Sequence, residues 1–341
     1  MAFTTKGPLN KSYGDHWLPD ILTLKIVCGV ALLLALSPVS TGAAGLSTRD
    51  QNPMFQAYYL PTNSPQTQDG WNFSHSVFIT NTFQTQAKGN EILVIDAENY
   101  RYDLSIAYQH KAWRASATIP FFSTRSGMLD SFIEDWHDFF GFPQNGRNLV
   151  PNDQLNISYT QNGEVIYQQL RSSDGLGDIA LSLSYALAGD DKGATEISFT
   201  VDLPAGSSAD NTGNDVTDLA LWLRKTRAVT TQSSLFGLIG MSRLGKGGQL
   251  ADRLERQVWV AQFGLDHAFN STVSGILQLD MHSRMVKNSA LTALGNSIQV
   301  QLGLTFKQLL ENHDLSLFFS EDILVGSAPD ITFGLQLSRR Y

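Results

Sequence analysis

The densest chemical pattern in the chain lies between residues 127 and 141. Asp130, Glu134 and either His137 or Asp138 fall on one face at helical spacing. Glu134 and His137 also stand at the E-x-x-H spacing of carboxylate-bridged metal sites. Such sites need a second motif of the same kind, and the sequence has none, so no metal and no cofactor is implied. Arg147, shortly beyond, joins these four as a candidate binding residue. Residues 240–247 read G-M-S-R-L-G-K-G, one short of a phosphate-binding loop. Gly247 stands where a magnesium-holding hydroxyl is required, and no helical pattern follows. No nucleophile-elbow, zinc-protease or dinucleotide motif is present. His75, His110, His267, His282 and His313 are scattered along strand patterns, and Ser274 and His282 share a strand face without being close enough to touch.

The elements that would position these groups follow from composition and periodicity. Of 341 residues, 42% are hydrophobic and only 16% charged, against about 25% charged in ordinary soluble chains. The remaining polarity comes from neutral Ser, Thr, Asn, Gln and Gly, which suits a sheet apolar on one face and small and neutral on the other. A net charge of -8 with no basic stripe argues against a nucleic-acid partner. The single cysteine, Cys28, leaves no disulfide or cysteine zinc chemistry.

Lys25, an apolar run from Ile26 to Leu36, the Ser37-Pro38 break and Thr41-Gly42-Ala43-Ala44 read as an export signal cleaved after Ala44. The run is about half the ~20 residues of a spanning helix. The polar residues 1–24 delay it, so initiation is expected near Leu22 or Leu24. Residues 1–44 are therefore expected to be removed, and 45–70, with three prolines, to form an irregular periplasmic segment.

From Trp71 onward apolar and small polar residues alternate with period two. Ile179, Leu181, Leu183, Tyr185 and Leu187 oppose Ala180, Ser182, Ser184 and Ala186. Ile298, Val300, Leu302, Leu304 and Phe306 oppose Gln299, Gln301, Gly303, Thr305 and Lys307. These runs last about ten residues, the length of a tilted bilayer-crossing strand. Short connections fall at one end (189–193, 228–231, 268–270, 309–313) and long ones at the other (123–176, 205–215, 244–255, 284–295). This segregation predicts an all-β fold, a transmembrane antiparallel up-and-down barrel over 71–341, with a helical loop insertion at 123–152. The wall has about 12 strands, or 14 if residues 156–171, a hairpin around Asn162-Gly163, belong to it. The chain ends on an alternating strand at Tyr341, the signal read by the barrel-assembly machinery.

Residues 127–141 break the alternation. Met128, Leu129, Phe132, Ile133, Trp136, Phe139 and Phe140 recur at helical spacing, with Ser126 as the expected cap and Gly141 as the stop. An amphipathic helix in the longest extracellular or lumenal loop reads as a lid or lumen plug.

The sequence resembles an uncharacterised family of proteobacterial outer-membrane barrel proteins. The resemblance is carried by Gln51-Asn52-Pro53, the run from Ser131 to Gly141, Arg147, Gly175-Leu176-Gly177-Asp178, residues 320–323 and residues 328–330. It implies location in the outer membrane of a Gram-negative bacterium, with lipid and lipopolysaccharide as neighbours, and no known activity. The expected function is a passive pore or transporter for small solutes, with Glu196, Asp202, Arg224, Asp280 and Lys307 tuning selectivity from the inward face. The alternatives are a barrel enzyme acting on lipid or lipopolysaccharide, and a structural or adhesive barrel working through its loops.

Overall fold

The computed structural model describes residues 45–63, 69–141, 144, 146–190, 192–310 and 313–340. The export signal, its cleavage site and Tyr341 lie outside the described residues.

Fifteen strands form one antiparallel sheet: β1 Gly70–Lys88, β2 Glu91–His110, β3 Trp113–Arg125, β4 Asn156–Gln161, β5 Glu164–Gln169, β6 Ser173–Leu176, β7 Ile179–Asp190, β8 Gly193–Leu203, β9 Asp218–Ala228, β10 Ser233–Arg243, β11 Gln257–Ala268, β12 Val273–His282, β13 Ser297–Leu310, β14 His313–Asp322 and β15 Ile331–Arg340. Each wall strand pairs with its sequence neighbours, and β1 closes the ring by pairing Asn72–Asn81 with Arg340–Ile331 of β15. The wall has twelve strands. The hairpin β4–β5 is not among them, which decides between the two counts the alternation allowed.

Period two has the expected consequence. Leu183, Phe199, Leu221, Ile239, Trp259 and Leu335 form part of an exposed outer band. Ser184, Ser198, Thr200, Gln278, Gln299, Gln301 and Gln336 are buried inside. Among the described residues the outward band has no covering partner, so its burial must come from a surrounding apolar medium.

Two departures from a plain barrel shape the interior. First, β1 and β2 overrun the wall. Residues 82–97 project as an arm at the long-loop end, where Glu91–Asp96 pair with Gln161–Asn156 of β4. Leu93 and Ile95 of this arm join Ile157, Tyr159 and Tyr167 of the hairpin and Leu244, Leu250, Leu254, Met285 and Leu294 of the long loops in one buried core. Glu91 locks this dome: its carboxylate accepts from the Tyr159 hydroxyl at 2.5 Å and from the Ala290 amide at 2.7 Å. Side chains that would otherwise meet water are excluded from it here, at roughly 1.5–3 kcal/mol for each fully buried large aliphatic.

Second, residues 45–63, within the stretch expected to be irregular, run inside the barrel. Residues 45–63 have no regular structure apart from a turn at 53–57, yet nearly all are buried. Leu46 packs with Phe78, Phe236, Ile276 and Phe318 in the lower lumen. Met54, Phe55, Tyr58 and Leu60 reach the core of the dome. Asn63 lies back beside β11, its amide donating to Gln262 at 2.8 Å.

The helix of the long loop, α1 (Asp130–Phe140), forms where the apolar spacing placed it and stops at Gly141, whose φ of 73° is left-handed. Its start is not capped by Ser126. The Glu98 carboxylate, reaching from β2, accepts from the amides of Met128 and Leu129 at 2.7 and 2.5 Å. Gly127 (φ 85°) is required there because a Cβ would lie 2.2 Å from that carboxylate.

Candidate functional site

The lumen and the helix hold the candidate residues in two separate groups. In the lumen, the N-terminal segment is tied to the wall by side-chain hydrogen bonds. Gln278 donates to the Leu46 carbonyl at 3.2 Å and accepts from its amide at 2.8 Å. Thr48 donates to Asp280 at 2.5 Å, and Gln262 to the Thr48 carbonyl at 2.8 Å. The His282 Nε2 meets Asp50 Oδ2 at 2.8 Å. Higher up, Asn99 donates to Gln56 at 2.8 Å, and Asp218 accepts from the Tyr59 amide at 3.1 Å. A buried irregular backbone needs such partners for its amides and carbonyls, and the Gln, Asn and Asp side chains of the inner wall supply them.

Beside this segment a cavity of about 1140 Å³, counting the space open to solvent, runs along β1, β2, β3, β7 and β15. Asn72, Ser74 and Ser338 line its short-turn end; Phe122, Asp178 and Thr212 line the other. Its charges stand in two tiers. Arg101 pairs with Asp103 at 2.7 Å and lies over the rings of Phe78 and Phe122. Arg114 pairs with Glu196 at 2.6 Å, and Arg224 stands 3.8 Å from the same carboxylate. Arg101 Nη1 and Arg114 Nε are buried donors without an acceptor among the described residues. Guanidiniums with spare donors beside hydroxyl-bearing walls can hold a polar solute or a file of water.

Asp202 and Glu196 therefore line or flank this cavity, and Arg224 joins Glu196, as the alternation placed them. Asp280 instead holds the N-terminal segment, accepting also from Gln301 at 2.9 Å. Lys307 lies apart, near the short-turn end, where β13 shifts register between Phe306 and Leu310. The sequence reading missed Arg49, Asp50, Arg101, Asp103 and Arg114. Arg101 and Asp103 were findable, since they occupy one strand face between Tyr100 and Tyr102 of the other.

The second group lies on the outside of the barrel. Asp130 accepts from Arg147 at 2.5 Å, from Asn81 at 2.8 Å and from the Asp153 amide at 2.6 Å. Arg147 also pairs with Asp330, which accepts from the Phe83 amide, and lies over the Phe83 ring. Asn81 and Phe83 share the outward face of β1, and Phe132 packs on Phe333, on the outward face of β15. The helix thus clasps the outer rim, and the expected lumen plug is not α1. His137 is buried on the barrel side, Glu134 is half-buried and Asp138 is exposed, donor to none and acceptor from Gln144 at 2.7 Å. No group of carboxylates, histidines or cysteines among the described residues has metal-holding geometry.

Two motifs resolve as structural. Asp178 of the Gly-Leu-Gly-Asp run accepts from the amides of Ala205, Gly206 and Asn214, which organises the 204–217 loop. Gly177 has no left-handed φ; it is needed because a Cβ would fall 2.4 Å from Phe122. At Gly247 a Cβ would meet the Asn214 carbonyl at 1.8 Å, so close packing explains that glycine-rich loop. Ser233 Oγ lies 2.9 Å from His267 Nδ1 on the wall, but among the described residues no carboxylate orients that imidazole.

The family of proteins of unknown function designated DUF3187 matches residues 21–341. The chain belongs to this family. No curated protein matches the sequence. Among solved structures, the COG4313 outer membrane channel from Pseudomonas putida F1 is similar at a TM-score of 0.54 and 10% identity, over 83% of this chain and 97% of that one. At this identity the likeness establishes the fold: a closed twelve-strand outer-membrane-type barrel. The KdgM porin in complex with disordered oligogalacturonate aligns over 79% of this chain and 99% of that one, with a TM-score of 0.44 and 10% identity.

Proposed function

We propose that this DUF3187 protein is a gated outer-membrane pore for small polar solutes, in which residues 45–63 are the gate. One observation carries the reading. The segment that fills the lumen is irregular and tied to the inner wall by side-chain hydrogen bonds, while a polar cavity with guanidinium donors unsatisfied among the described residues runs beside it. A plug held by polar bonds exchanges them for bonds to water when it moves, so each contributes only about 0.5–1.5 kcal/mol net. The short-turn end is taken as periplasmic and the domed end as external, the arrangement usual for outer-membrane barrels. A chain with this role would reach the membrane through the export signal read at residues 25–44, and the barrel-assembly machinery would read its last strand.

The test is planar-bilayer conductance of the refolded protein, with and without residues 45–63, using heat-modifiable gel mobility as the check on folding. Rare openings in the full chain and a large steady conductance in the truncated one are expected. A folded truncated barrel that stays silent would overturn the reading.

A further inference from the structure

Among the described residues, α1 presents three faces, one of them a row of exposed aromatic side chains. On this helix Asp130, Ile133 and His137 are buried against the rim. Phe132, Phe139 and Phe140 are exposed, Phe139 at 82%, on a second face with half-buried Trp136. Ser131, Asp135 and Asp138 occupy the third. The orientation of these faces is fixed by contacts at two heights. Arg147 binds Asp330, at the mouth end of β15, and Ser131 accepts from Asn152 of the loop that climbs to β4. Phe132 packs on Phe333, three residues further into the wall. So the polar face looks toward the mouth, and the aromatic face looks along the outer wall toward the apolar band.

From this we infer that α1 is an interfacial foot, seated in the outer leaflet with its aromatic face among lipid acyl chains and its acidic face toward water. The occupant is argued by continuity: Phe132 and Phe333 join the helix face to the band of the barrel that already requires an apolar medium. A helix of high amphipathicity lying parallel to the interface, apolar on its lower side, is how monotopic elements bind bilayers. Aromatic side chains also favour that depth. The inference needs the barrel to sit in a bilayer and is independent of whether the lumen conducts.

The experiment uses the full chain with Cys28→Ser, which removes its only thiol. Single cysteines replace Phe139, Asp135 or, on the wall band, Leu183, and each carries an environment-sensitive fluorophore in phosphatidylcholine vesicles. Quenching by acyl-chain nitroxide lipid is compared with quenching by aqueous iodide. The expected result is strong lipid quenching at 139, as at 183, and iodide quenching at 135. If 183 is quenched by lipid but 139 is quenched by iodide, the foot does not exist. If 139 is shielded from both quenchers, the face is covered by protein, such as a second copy, and the inference is equally overturned. Quenching at 183 separates either failure from a failure to insert. A Met128→Cys variant serves if replacing Phe139 prevents folding.

Discussion

The His282 imidazole and the Asp50 carboxylate meet at 2.8 Å inside the barrel, although 232 residues separate them. Two further contacts of similar span, Thr48 with Asp280 and Leu46 with Gln278, follow the same strand downward. β12 therefore acts as a rail along which the N-terminal segment is registered. If residues 45–63 act as the proposed gate, breaking one charged hydrogen bond shifts its equilibrium by about 1.5–3 kcal/mol, a ten- to hundredfold change in the displaced population. His282→Ala is expected to raise the frequency of opening by that order in single-channel records, with unchanged conductance of the open state. Opening statistics identical to the parent would remove this contact from the gate.

The outer helix gives the opposite expectation. Replacing residues 127–141 by a short Gly-Ser linker is expected to leave the lumen as it is, because the contacts of α1 with the wall fall on outward-facing Asn81 and Phe333. Conductance is expected to match the parent. A rise would mean that the helix occludes the pore after all.

Arg147 is the bond between that helix and the wall. Arg147→Ala would leave Asp130 and Asp330 buried without their shared cation, a loss of about 3–5 kcal/mol for a buried pair. The loop from 126 to 155 should become open to proteases while the barrel keeps its heat-modifiable mobility. Arg147→Lys, which keeps the charge but not the two-pronged geometry, is expected to fall between. Protease resistance equal to the parent in the alanine variant would show that aromatic packing alone holds the helix.

Asp96 lies in the arm, beyond the wall and close to this cluster. Burial, and after it the neighbouring Asp130, pushes its carboxyl up to about 6, with Arg147 opposing. A carboxyl raised in the fold favours its protonated form there. Its contribution to stability is thus fully present below the unfolded value near 4 and is lost as pH rises through 6. The arm should be more protease-resistant at pH 4.5 than at pH 8, by up to about 3 kcal/mol from this group. Asp96→Asn should be insensitive to that change and firmer at pH 8; an arm equally pH-dependent in the variant would assign the effect to other carboxyls.

The wall was legible because it is local. Alternation within ten residues, as in Ile179 to Leu187, is imposed by one inner and one outer medium, and the segregation of short and long connections repeats it around the ring. The existence of α1 was equally legible from Phe132, Trp136 and Phe139. Its place was not, since amphipathicity says that one face is covered and not by what. The plug left no mark at all. Residues 45–63 have no periodicity, because partners such as Gln278, Gln262, Asp280 and His282 lie more than 195 positions away. Those partners do carry a faint signal: amides and carboxylates at alternate positions of β12 are richer in hydrogen-bonding capacity than a water-filled lumen requires.

The position of the plug at the head of the barrel also bears on how the molecule is made. It immediately precedes β1, and β1 forms the seam with β15, the last strand to be synthesised. A ring that shuts by joining its two ends encloses whatever lies between them at that moment. The N-terminal segment can therefore serve as a mandrel, offering the later strands a template of amides and carbonyls on which to settle before the seam zips.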